Sequence, residues 1–191
     1  PITALENVVS NAERRAFLQG ESEVVPRVSD VFASLPSLTG KIELEYEGEL
    51  KGAEQVAREL VRQAVATVFD VYAADLDTRD IVDWFNGGGQ LDLTDTTPAA
   101  ALLDLVAPIG GMAEALDVLG AGASAPAPSR AAAADFLLEG LCALRRISRS
   151  DEGRMLGTPA PARKAKAQRP EFDADEEDDD MPRKGRKKYY N

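Results

Sequence analysis

The chain of 191 residues contains no histidine. That absence excludes Ser-His-Asp and Cys-His catalysis, zinc sites built on imidazole, and proton transfer by a neutral-pH imidazole. Cys142 is the single cysteine, so no internal disulfide can form and nothing argues for an oxidising compartment. No stretch approaches the roughly 18 apolar residues of a membrane span. Nor does the start of the chain show a basic region followed by a continuous apolar run. The expectation is a cytoplasmic protein without a membrane partner. The pattern G-x-x-x-x-G-K-[ST] is absent as well, which leaves no P-loop to hold nucleotide phosphates.

What is present is acidic and helix-forming. Net charge is -11, and residues 1–150 carry 12 basic against 23 acidic side chains, while residues 151–191 carry ten of each. A body that acidic repels a phosphate backbone over most of its surface, so a nucleic-acid partner is not expected. Hydrophobic residues make up 44% of the chain, enough for a real core. The expected fold class is mainly α, with one or two short β-strands.

Along the chain, the first helix is predicted from about Ala4 to Leu18. Thr3 and Glu6 have capping-box spacing, Leu5, Val8, Val9, Ala12 and Ala16 form its stripe, and Gly20 ends it. Ser29 can cap a short turn through Leu35, stopped by Pro36. From Lys41 to Glu47 the pattern alternates, with Ile42, Leu44 and Tyr46 on one face and charges on the other, as in a strand. A lone strand needs a partner for its backbone groups. The strongest helical signal is "AEQVARELVRQAVATVFDVY", where Val56, Ala57, Leu60, Val61, Ala64, Val65, Val68 and Phe69 predict one buried face. A helix, the turn Gly87–Gly89, a second short strand at Leu91–Thr94, a helix opened by Thr97 and Pro98, and a short helix over Met112–Leu119 follow. Residues 120–129 read as a linker, and a last amphipathic helix is predicted over about Arg130–Ile147, with Leu137, Leu138, Leu141 and Leu144 inward. Beyond Ser150 the charge blocks predict a disordered tail.

Candidate chemistry is thin. Gly87–Gly89 follow a helix rather than opening one, the reverse of a phosphate loop, and read as a plain turn. Taking Asp173 as a first calcium ligand puts Asp178 where an EF-hand needs glycine and Lys184 where it needs glutamate, so that match fails. Glu43, Glu45 and Glu47 read as a hydrated face, and Cys142 as an inert core thiol. Trp84 and Phe85 either anchor a partner or seal a small core, and the core is the stronger reading. The terminal "RKGRKKYY" could touch nucleic acid, although an adjoining acidic block competes for its charges. No residue is assigned a catalytic, cofactor-binding or metal-ligating role.

The stretch "ENVVSNAERRAFLQGESEVVPRVSDVFASLPSLTGKIELEYEGELKGAEQVARELVRQAVATVF", with "DWFNGGGQLDLTD", "PIGGM" and "FLLEGLCALRRISRS", resembles the C-terminal region of bacterial AAA-plus ATPases of the magnesium-chelatase subunit I-like, or MoxR-like, kind. The resemblance covers about residues 4–150. It implies that residues 1–36 end a helical lid, that 37–119 form an extension with short strands, that 120–129 link it to a terminal helix at 130–150, and that 151–191 are tail. It further implies an ATPase core ahead of Pro1, carrying the P-loop, the arginine finger and the lid's sensor arginine; Arg14 and Arg15 lie too far along their helix for that last role. ATP and magnesium, a homo-oligomeric ring and a protein client are thus implied for the whole protein, and no cofactor for this chain. On that resemblance, the strand at 41–47 pairs either with Leu91–Thr94 or with the core. The residues by themselves support a second reading, an acidic helical adaptor module without any ATPase, and a third in which the basic terminus gives it a transcription-linked role.

Overall fold

The computed structural model describes residues 2–39, 42, 52–150 and 154–158. Every described residue belongs to one compact unit. That unit is mainly helical with a small antiparallel sheet. In chain order its elements are α1 (Ile2–Gln19), α2 (Val28–Ala33), α3 (Pro36–Thr39), α4 (Ala53–Tyr72), α5 (Arg79–Asn86), β1 (Leu91–Asp92), α6 (Ala99–Val106), α7 (Met112–Val118), α8 (Ala127–Ala143), β2 (Ile147–Arg149) and β3 (Arg154–Gly157).

The centre of the fold is α8. Its apolar residues are distributed around the whole circumference, and a helix without a polar face must be enclosed. Leu137, Leu138 and Leu141 are fully buried, and α4, α6, α7 and β2 all pack on it. Closest approach to α4 occurs at Gly140, where a Cβ would overlap the ring of Phe69; that ring in turn stacks obliquely on Phe136, with centroids 5.6 Å apart. Glycine here is a packing requirement. The sheet, ordered β1-β3-β2, covers the end of the helical layer by pairing Leu91 with Met155 and Ile147 with Gly157.

Several elements depart from the sequence expectation. The helix α1 starts at Ile2, so Thr3 lies inside it and does not cap it. Pro36 opens α3 instead of merely stopping a turn, because its fixed φ suits a first helical position. The same preference explains α8: Pro128 sits in its first turn, so the helix begins at Ala127, inside the expected linker. It also ends sooner, at Ala143, because Arg145 takes a left-handed conformation (φ 58°) and the chain closes in a Schellman motif, Arg146 N donating to Leu141 O at 2.9 Å. Ile147 is therefore a strand residue. The largest correction is β3: residues 154–157, expected in the tail, form the central strand, with Met155 fully buried between β1 and β2. Two apolar residues, Met155 and Leu156, among charges are too few to register as a periodic signal, yet one buried methionine and a ladder on both sides suffice to hold a strand.

The short strand at Leu91 is present as β1, and its described partner is β3. The predicted strand at 41–47 lies outside the described residues except for Ile42, as does the charged chain beyond Thr158.

Candidate functional site

The helix α1 is held at one end and bare at the other. Its helical stripe is packed at Ala12 and Ala16, both buried, but the continuation of that stripe toward the N-terminus is open: Ile2 is 74% exposed, Leu5 64% and Val9 38%. Residues three and four apart share a helix face, so the first two turns overhang the body. Phe17, 87% exposed, and Leu18 add apolar surface at the other end of the helix.

A buried network of charges fixes this orientation. Arg15, on the packed side of α1, pairs with Asp30 of α2, and its Nη2 donates to Val25 O at 2.8 Å. Asp30 also accepts from Asn11 Nδ2 at 2.7 Å and, through its other oxygen, from the Arg27 backbone N–H at 2.7 Å, which satisfies a free donor at the start of α2. Glu21 accepts from Arg27 Nη2 at 3.3 Å and from the Ala99 N–H, the first donor of α6, at 2.8 Å. Arg27 Nη1 donates to Thr97 O at 2.6 Å. Arg15, Arg27 and Asp30 are all buried, and burial lowers the affinity of Arg27 for its proton, the neighbouring charge of Arg15 adding to that effect. Each charge in such a cluster depends on its partners, because an unpaired one would be strongly unfavourable at that depth. The network therefore clamps α1 and α2 to the N-terminus of α6.

A second buried set runs along α8. Asp135 and Glu139, one turn apart, both face inward. Asp135 Oδ2 accepts from the Ser29 N–H at 3.0 Å and Glu139 pairs with Arg149 of β2. Desolvation pushes the Asp135 carboxyl up, against the pull of that N–H and of Arg27, and pushes Glu139 up to about 7 despite the opposing charge of Arg149.

None of these groups was singled out from the sequence as a site. A signal existed for Arg15, which lies beside Ala12 and Ala16 on the stripe, and for Asp135 and Glu139, which fall among inward leucines. A charge on an apolar stripe indicates a buried partner without saying which. The residues considered from sequence stand apart from one another. Phe85 is buried and Trp84 half-buried, in edge-to-face contact at 4.9 Å, so they seal the core. Gly87–Gly89 close α5, and the Gly89 backbone lies against the Trp84 ring. That arrangement does not fit a triphosphate, since the glycine backbone is occupied by an aromatic ring and the run opens no helix. Cys142 is half-buried, and burial, reinforced by the charge of Glu139, pushes its thiol up to about 12. Among the described residues no group of three or more acidic or cysteine side chains could hold a metal ion, and no helix is long and apolar enough to cross a membrane. Comparison with protein-family models, with curated proteins and with solved structures found no match.

Proposed function

We propose that this chain is the lid end and helical extension of a magnesium-chelatase-like, or MoxR-like, AAA-plus ATPase, coupling nucleotide binding and hydrolysis in a preceding core to contacts with neighbouring subunits or a client. The observation that carries the reading is the overhang of α1, where one stripe is packed at Ala12 and Ala16 and bare at Ile2, Leu5 and Val9. Each large apolar side chain covered by a partner contributes about 1.5–3 kcal/mol, so a helix that exposes three on one face is built to receive a second surface. The occupant in this reading is the ATPase core that a lid packs against. The charge network gives the overhang its mechanical sense, since a push on α1 reaches α2 through the buried Arg15–Asp30 pair and the start of α6 through the hydrogen bonds of Glu21 and Arg27, in the loop between α1 and α2.

The nucleotide belongs to that core. In this reading the chain's own part is to present α1 and carry its displacement inward. The coding sequence ahead of Pro1 tests this directly: a G-x-x-x-x-G-K-[ST] within one domain length, about 250 residues, is the expected result. An upstream sequence without one ends the proposal.

The second reading, an acidic adaptor module, is favoured by one feature: the described hydrogen bonds and ion pairs of the network run within residues 11–30 and 97–99 of this chain, although Arg15 Nε, Glu21 Oε2 and Arg27 Nε are buried without a hydrogen-bond partner. In that case α1 receives a separate protein. The purified chain then binds its partner without nucleotide, whereas in the first reading substitution of Leu5 by Asp in the whole protein uncouples ATP turnover from assembly.

A further inference from the structure

A cleft of about 690 Å³ opens between α4, the C-terminal half of α8 and β2, within the size range of small-molecule sites. Its charged lining is Arg62 from α4, Arg145 from the turn after α8, Arg149 from β2, Glu59 and the buried Glu139. Among the described lining residues three arginines stand against two glutamates, in a body where acidic side chains outnumber basic ones nearly two to one. Several arginines elsewhere are committed, Arg15 and Arg27 to buried carboxylates, Arg146 to Thr78 Oγ1 at 2.9 Å and Arg154 to Asp92, although Arg130 Nε is buried without a hydrogen-bond partner. Within the cleft Arg149 pairs with Glu139, whereas Arg62 and Arg145 have no side-chain hydrogen bond or ion pair among the described residues.

Two further features point the same way. Arg145 is the one non-glycine residue with positive φ among those described, at a position where glycine is the usual choice. A long cationic side chain at a left-handed position that the closure of α8 requires makes Arg145 a candidate for a specific role. Its carbonyl accepts from Thr158 Oγ1 at 3.3 Å, so the end of β3 braces the turn that carries it. Behind it, Arg149 Nε is buried with no hydrogen-bond partner, which leaves donor capacity in the wall, while Glu139 Oε1 beside it and the Nε atoms of Arg15, Arg27 and Arg130 elsewhere also lack such a partner.

We propose that this cleft binds a small organic oxyanion, its phosphate or carboxylate oxygens held by Arg62 and Arg145, with the Arg149–Glu139 pair forming the wall behind. Guanidinium donors grip paired oxygens bidentately, which favours an oxyanion over a halide or a neutral polyol. The polar lining added by Gln63, Ser148 and Thr158 suits hydroxyl groups on the same ligand. None of the lining residues belongs to α1.

Calorimetric titration of the full chain with glycerol 3-phosphate, malate and glycerol tests it. The expected result is saturable binding of at least one of the two anions and none of glycerol; whichever anion is tighter identifies phosphate or carboxylate as the recognised group. Arg62→Gln and Arg145→Gly should each weaken that binding about tenfold or more, as loss of a charge-assisted contact does, and Arg14→Gln, the same charge change on α1, should leave it intact. Arg145→Gly should also raise the melting temperature of the free protein by about 2–4 °C as strain is relieved. Absence of binding at millimolar concentrations of both anions, or equal weakening by Arg14→Gln, overturns the proposal. A melting temperature lowered by Arg145→Gly overturns the strain argument on which it partly stands.

Discussion

Replacing Glu139 by glutamine should flatten the pH dependence of folding stability. The side chain is 5% exposed, and desolvation holds its carboxyl at about 7 against an ordinary value of 4.5. Between those two pH values the folded protein keeps a proton that the unfolded chain has released. The associated stability is therefore fully present below pH 4.5 and is lost as pH rises through 7. A displacement from 4.5 to about 7 corresponds to about 3 kcal/mol. Asp135, also raised by burial, acts in the same direction, whereas Asp77, drawn down to about 2 by its hydrogen bonds to Arg79, acts only at lower pH. Urea unfolding of the wild-type chain at intervals from pH 4.5 to 8 should show stability falling, and Glu139→Gln should remove about 3 kcal/mol of that fall while leaving the share due to Asp135. Parallel curves for the two proteins would refute the assignment. A wild-type stability that rises through this window would refute its sign.

Three other perturbations probe the packing and the network. Arg15→Met leaves Asp30 charged and buried, so it should cost about 3–5 kcal/mol in urea unfolding, with Arg15→Met/Asp30→Leu less harmful than the single change; a single-variant cost below about 1 kcal/mol would mean the pair is not buried as described. Gly140→Ala places a methyl group in the Phe69 ring and should destabilise by about 1–3 kcal/mol, part of it recovered by Phe69→Leu, and an unchanged melting curve would contradict the helix contact. Cys142, with its thiol at about 12 rather than 9, carries about a thousandfold less thiolate at pH 8, so iodoacetamide should modify the folded chain far more slowly than the chain in urea; equal rates would place the thiol in solvent.

The elements that could be read in advance are those whose signal is local. The helical period over 53–72, the turn at Gly87–Gly89 and the short strand at Leu91 depend on near neighbours, and each is present. Which side chains of those elements are covered is a different matter. The stripe on α4 counts Leu60, Ala64 and Val68 as inward, yet all three are exposed while Phe69 is buried, because Gly140 lets α8 approach only at that end. Strand β3 escaped notice because its burial comes from the two strands beside it, one of which is 62 residues away in sequence. The candidate site was the least legible part: Arg15, Glu21, Arg27 and Asp30 are ordinary surface types until the fold removes water from around them.

Composition and periodicity alone thus determined that this chain is mainly helical, acidic and without the side chains for imidazole chemistry, since those properties depend only on what is present and how it repeats. Tertiary structure decided which charges lose their water, which half of α1 is left uncovered and where Arg145 is aimed. Desolvation and close approach are set by residues distant in the chain, and no local pattern encodes them.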